Sequence, residues 1–218
     1  MKTPVALKID TSTPRGSVAF AGREEFFLRD VGRVTSRGAP PTPAEVSRPT
    51  TDLFTALQRL NPTGFDQIVV GVGPGSFTGI RAGIAAAKGL ALPGNVPVLP
   101  ACSFDAIALT ALPAMPRDCP QMCVLCDARR DEVYFALYDR QGRRTGDCRL
   151  GALETIDVHN PIWFVSSEME KYRDALRETF GGFATVCETS VFPRAELLRP
   201  EKLPLEPIYL RETDYKKI

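Results

Sequence analysis

Residues Gly71–Leu92, GVGPGSFTGIRAGIAAAKGLAL, constrain the fold more than any other stretch of the 218-residue chain, because a glycine-rich turn runs there into a helix of unusually small side chains. The apolar run Gln67-Ile68-Val69-Val70-Gly71-Val72 ahead of it predicts a buried strand. Gly73, Pro74 and Gly75 break that run: glycine admits positive φ and close approach, and Pro74 fixes φ and lacks a donor. Ser76 or Thr78 is placed to cap the following helix. On it Ile80, Ile84, Ala87 and Ala91 share one face. Ala82, Ala86 and Gly89 make a second, nearly bare face that suits a closely packed neighbour, from this chain or another.

A helix N-terminus after such a turn also offers N–H groups and a positive dipole end to phosphate. The spacing matches neither nucleotide signature. Counted from Gly71, the sixth place is Ser76 where a dinucleotide fingerprint needs glycine, and Gly79 is followed by Ile80-Arg81 where a Walker loop needs Lys-Ser/Thr. Gly73 and Gly75, together with Asp10, Thr11 and Ser12 at the end of the first strand, stand as candidate nucleotide contacts; a purely structural strand-to-helix turn is the alternative.

A hydrophobic content of 44% is enough for a real core in one large domain or two small lobes. The net charge of +1 creates no field that by itself implies nucleic acid. With no run of about 18 apolar residues, nothing is expected to span a membrane. MKTPVALKID reads as a first strand and not a signal peptide, so the expected compartment is the cytoplasm. Cys119, Cys123 and Cys126 have the spacing of an iron–sulfur ligand set. Cys123 and Cys126 lie inside the apolar run Met122–Cys126, however, where strand alternation points them to opposite faces, and buried core thiols are the expectation. Cys102, Cys148 and Cys187 are scattered and read as reduced thiols. His159 is the single histidine, so no histidine pair is available to a metal and no metal site is expected.

In chain order, Val5–Asp10 predicts a strand ending in an acid, followed by a hairpin of Ser17–Phe20 and Glu25–Leu28 around Ala21-Gly22-Arg23. Asp10-Thr11-Ser12 mimics the aspartic-protease triplet, but that chemistry needs two facing carboxylates and the chain has one triplet. Val31–Pro43 reads as a loop, and Thr42-Pro43-Ala44-Glu45 as a capping box opening a helix with Val46, Leu53, Leu57 and Leu60 on one face, interrupted by Pro49. Ser103 opens a further helix through Leu112, and Pro113–Pro120 a linker. Then the opening pattern returns: apolar strand Met122–Asp127, polar turn Ala128–Asp131, hairpin. Asp10 and Asp127 hold equivalent ends. The repetition predicts two similar lobes, residues 1–112 and 113–218. The tail adds a strand near Ile162–Val165 and a helix Ser167–Phe180 with Met169, Tyr172, Ala175 and Leu176 inward.

Four passages then carry a resemblance: Asp10-Thr11-Ser12 with Ser17-Val18-Ala19, Gly73–Arg81 continuing to Ala87–Ala91, Asp127-Ala128-Arg129 with Glu132-Val133-Tyr134, and Pro207–Arg211. Over nearly the whole chain the sequence resembles the TsaB family, the catalytically silent relatives of TsaD. The resemblance implies an α/β fold of the duplicated actin/sugar-kinase/Hsp70-like (ASKHA) class with two mixed-sheet lobes. It also implies a role in forming N6-threonylcarbamoyladenosine next to the anticodon of transfer RNA. In that scheme TsaC makes threonylcarbamoyl-adenylate, TsaD transfers the carbamoyl group, TsaB pairs with TsaD as a heterodimer, and the ATPase TsaE joins them. TsaD holds its metal through two histidines four apart; in the similar stretch here, Pro100–Ile107, Ser103 and Ile107 stand in their place. The implied chain therefore has no catalytic residues and needs no cofactor of its own, ATP or ADP being bound through the complex, and it meets transfer RNA only there. Where many TsaB sequences read His-Ser-Glu-x-Leu-Leu-Pro, this one has Pro43-Ala44-Glu45-Val46-Ser47-Arg48-Pro49. The partner face expected from the resemblance comprises Phe77, Ile80, Arg81, Ile84 and Ala85, with Glu45 and Arg48 beside them. A homodimer through the same helix is a third reading, for the chain in isolation, with a monomer as its alternative. The rival reading is an ATP-dependent phosphotransferase or nucleotide hydrolase, with Asp10 and Asp127 placing Mg²⁺.

Overall fold

The computed structural model describes residues 4–28 and 49–210, with side chains in the first helix from Leu53 onward. Val31–Glu45, Arg48 and Arg211 lie outside the described residues, so the expected loop, the capping box and two of the expected partner contacts do too.

The described chain divides into two units. The first holds residues up to Thr110 together with Phe192–Pro207, and the second holds Ala111–Val191 and the residues from Ile208 on. Phe192–Pro207, expected in the lobe 113–218, belongs to the first unit.

In the first unit the order is β1 Ala6–Asp10, β2 Arg15–Phe20, β3 Arg23–Leu28, α1 Pro49–Leu60, β4 Gln67–Gly71, α2 Phe77–Ala91, β5 Val98–Ala101 and α3 Ser103–Ala111. The sheet runs β3-β2-β1-β4-β5; β1 is antiparallel to β2 and parallel to β4. Strand alternation gives the sheet two apolar faces. Ala19, Val69 and Ala101 cluster with Ala106 of α3 and with Ala195 and Leu198. Leu7, Ile9, Ile68 and Val70, all fully buried, alternate with these and point the other way. Leu53, Leu57 and Leu60 form the buried stripe of α1. The helix ends at Asn61, which takes a left-handed φ of 45° and donates its N–H to Leu57 O.

The second unit contains β6 Gln121–Arg129, β7 Glu132–Asp139, β8 Arg149–Gly151, β9 Ile162–Ser166, α4 Met169–Phe180 and β10 Ala184–Val186. Its sheet, β10-β9-β6-β7-β8, repeats the first when read from the other edge, and β6 is again antiparallel to one neighbour and parallel to the next. Two sheets of one topology built by successive halves of the chain make this the duplicated α/β ASKHA-like fold. The halves differ where helices would repeat: a single 3-10 turn, Leu153–Thr155, lies between β8 and β9, and after β10 the chain leaves for the first unit. Cys123 and Leu125 pack with Phe164, Met169, Tyr172 and Leu176. Burial in that cluster pushes the Cys123 thiol far up, which fits a core side chain. Ala175, expected inward, is exposed, because the buried positions of α4 are Met169, Tyr172 and Leu176 and Ala175 falls beside that narrow stripe.

The Pro113–Pro120 stretch is held tightly. Arg140 donates to the carbonyls of Pro116, Arg117 and Cys119, and Cys119 is fully buried.

A candidate docking face and the turn beneath it

β1 ends on Asp10, and the chain folds back at once. Asp10 Oδ1 accepts the Ser12 N–H at 2.8 Å and the Ser12 hydroxyl at 2.6 Å, which closes the turn from within. The Gly73–Gly75 turn after β4 lies directly on this one: Ser76 N–H donates to Ser12 O at 2.7 Å. Gly75 has φ 152°, and a Cβ there would overlap Ser12 O, so only glycine allows the two turns to touch. One helical turn further on, Thr11 Oγ1 donates to Gly79 O at 2.7 Å. In the next turn a Cβ on Gly83 would overlap the same Thr11 oxygen. Asp10, Thr11 and Ser12 are all buried.

The five candidate nucleotide contacts are thus brought together, and the hydrogen bonds of Asp10 Oδ1, Thr11 and Ser12 go to the chain itself. On the same side Gly73 N–H donates to Ser103 Oγ, and Ser103 N–H to Gly73 O. Ser103 and Ile107, the two positions matched to the TsaD histidines, are both fully buried. Ser76 occupies the N-cap position of α2, with no side-chain capping bond.

Asp127, the equivalent acid of the second unit, has its side chain 11% exposed. Lys171 Nζ lies 2.8 Å from its Oδ2, Arg129 Nη1 lies 3.5 Å away, and the Arg129 N–H donates to Oδ1. Burial alone would raise its pKa, but the hydrogen bonds from Lys171 and the Arg129 amide, with the two nearby cations, hold it below the usual carboxylate range. It is a neutralised acid. His159 is exposed and pairs with Asp157 at 2.9 Å. Among the described residues no three His, Cys, Asp or Glu side chains group to hold a metal ion.

The side of α2 turned away from the sheet is different in kind. Phe77 is 47% and Leu92, just past the helix, 79% exposed; Arg81, Ala85, Lys88 and Gly89 lie between them, exposed as well. The Arg81 guanidinium sits 5.1 Å from the Phe77 ring centroid, a cation–π contact that orders both. No acidic residue occurs in Phe77–Ala91. Phe54 on α1 is a further exposed aromatic, 47% accessible.

Two of the expected partner contacts are corrected here. Ile80 and Ile84 are 2% and 6% exposed, because the 3.6-residue period that makes them a stripe with Ala87 and Ala91 turns that stripe inward. Lys88 and Leu92, not among the expected contacts, lie on the exposed side instead. Counting the same period from Phe77, through Arg81, Ala85 and Lys88, reaches both.

The comparisons agree with this fold. A family model described as TsaD, tRNA N6-adenosine threonylcarbamoyltransferase, matches residues 48–175. An uncharacterised protein of Mycobacterium leprae is 32% identical over 226 residues, covering 98% of this chain and 56% of its own length. The tRNA threonylcarbamoyladenosine biosynthesis protein TsaB of Haemophilus influenzae is 32% identical over 146 residues, covering 66% of this chain and 58% of its own. The chain therefore spans somewhat over half the length of these two relatives. The structure of YeaZ from Pseudomonas aeruginosa superposes with a TM-score of 0.67 at 23% identity, covering 95% of this chain and all of that one, a likeness that speaks for the fold. With the TsaD family model spanning more than half its length and proteins named TsaB among its relatives at 32% identity or more, the chain belongs to the TsaB branch of that family.

Proposed function

We propose that this chain is a non-catalytic partner of TsaD in the formation of N6-threonylcarbamoyladenosine in transfer RNA, acting in the cytoplasm in an assembly that also takes up TsaE. The observation that carries the reading is the outer face of α2: two large exposed apolar side chains, small residues between them and two cations with no acid in the helix. Its apolar and small side chains lose little by leaving water and admit another helix closely, and its two cations call for acids on the partner. Phe77, Arg81 and Ala85 form the N-terminal half of this face. The buried Asp10 and the ion-paired Asp127 give no support to a Mg²⁺-dependent phosphotransferase, which needs open carboxylates. In this reading no cofactor is needed by the chain itself; ATP or ADP enters through the complex, and a second copy of the chain occupies the face when TsaD is missing.

The test is copurification with TsaD and TsaE, with and without ATP, comparing the wild type with Ala85→Glu. A carboxylate at that close contact should abolish the pair, and Phe77→Ala should weaken it by about 2 kcal/mol. Undiminished pairing of Ala85→Glu rejects the face. Transfer RNA modified by this chain alone, or ATP turnover lost on Asp10→Asn, rejects the silent role.

A further inference from the structure

We propose that the Asp10-Thr11-Ser12 turn is a positioning element for the docking helix: it sets the pose of the first two turns of α2, and through them the presentation of Phe77, Arg81 and Ala85. The inference rests on the reading of α2 as the partner face. The turn grips the start of the helix at three successive levels. The Ser12 carbonyl takes the amide of Ser76, the residue immediately before Phe77. Thr11 Oγ1 donates to the Gly79 carbonyl at 2.7 Å, and the Gly83 backbone rests against the same side chain. Asp10 makes the grip stiff, because its carboxylate closes the turn through the Ser12 amide and hydroxyl, and its backbone is registered in the sheet opposite Ser17. These bonds are shielded from water, where they are stronger and more directional than at a surface. A shift of this turn displaces Ser76 and carries Phe77 with it.

The experiment measures affinity for TsaD alongside the melting temperature and amide hydrogen exchange of the unbound chain. Thr11→Val keeps the side-chain shape and removes the donor. It should weaken pairing about tenfold at a temperature where the chain is fully folded, and speed exchange at the α2 amides from Ser76 to Ile80. Thr11→Ser keeps the hydroxyl and should restore both. Should Thr11→Val not fold, Ser12→Ala, which leaves the backbone bonds of Ser12 in place, carries the same test. Wild-type affinity in Thr11→Val together with lost affinity in Ala85→Glu overturns the positioning role alone. Wild-type affinity in Ala85→Glu overturns the docking reading and the positioning role with it. Equal losses in the valine and serine variants also overturn the positioning role, since a structural defect would not discriminate the hydroxyl.

Discussion

Asp127 and Asp10 occupy matching ends of matching strands, and their surroundings divide them. Asp10 is fully buried with its Oδ1 closing its own turn, whereas Asp127 meets Lys171 of α4 and the tip of its hairpin. Because the folded-state pKa of Asp127 lies below its unfolded value, its ionised form is preferred in the native state, and the associated stability is present above the ordinary carboxylate range. As pH falls through the lowered folded value that contribution is lost. Denaturant midpoints measured between about pH 5 and pH 2 should fall more steeply for the wild type than for Lys171→Met. Superimposable curves would show that the pair contributes nothing. Both acids were legible from the strand pattern alone, since an apolar run ending in Asp is a local signal. Lys171 was not, because nothing in the sequence near either residue announces a contact made across the sheet end.

The helix α2 shows what periodicity can and cannot tell. The stripe of Ile80, Ile84, Ala87 and Ala91 was readable as one face, but a stripe has no label saying whether it meets a sheet or a partner. Burial decides for the sheet, leaving the Phe77 to Leu92 side outward. Full burial of one such isoleucine contributes about 1.5–3 kcal/mol, so the apolar stripe goes to the larger covered surface. The glycines of this helix divide in the same way. A Cβ at Gly89 meets nothing within 4 Å, whereas one at Gly83 meets Thr11 Oγ1. Gly89→Ala should therefore raise stability by about 0.5–1 kcal/mol through helix propensity and a narrower unfolded ensemble. Gly83→Ala gains the same propensity but must push Thr11 off its bond to Gly79 O, for a net loss of about 1–3 kcal/mol. Opposite shifts in the melting temperature are the expected result; a rise in both would mean that the contact with Thr11 is loose.

At the scale of the molecule, duplication explains both the sheets and the place where the copy stops. The first unit covers one face of its sheet with α3 and with residues that arrive from beyond the second unit, Phe192–Pro207. This return could not be read from the sequence: the segment carries four prolines, Pro193, Pro200, Pro204 and Pro207, and shows no period of 2 or 3.6. Its partners lie far upstream. Ser17 Oγ donates to Pro193 O and accepts the Ala195 N–H, contacts 176 and 178 positions apart in the chain. Lys8 Nζ donates to the carbonyls of Glu196 and Leu198, and Arg194 pairs with Glu24 at 2.9 Å. These contacts are unequal. The Arg194 side chain is 44% exposed, so water screens its pair and the median worth of such bridges, about 0–1 kcal/mol, applies. Ser17 is fully buried, and Ser17→Ala would strand a donor and an acceptor of the strap at once, costing about 1–3 kcal/mol each where no water replaces the hydroxyl. Ser17→Ala should thus lower stability well beyond Arg194→Gln. It should also open amide exchange at Ala195 and Leu198 while leaving the amides of β6 and β9 in the second unit unchanged. Equal effects of the two variants would mean that the strap is held by its surface charges instead, and that the buried hydroxyl is replaceable by solvent.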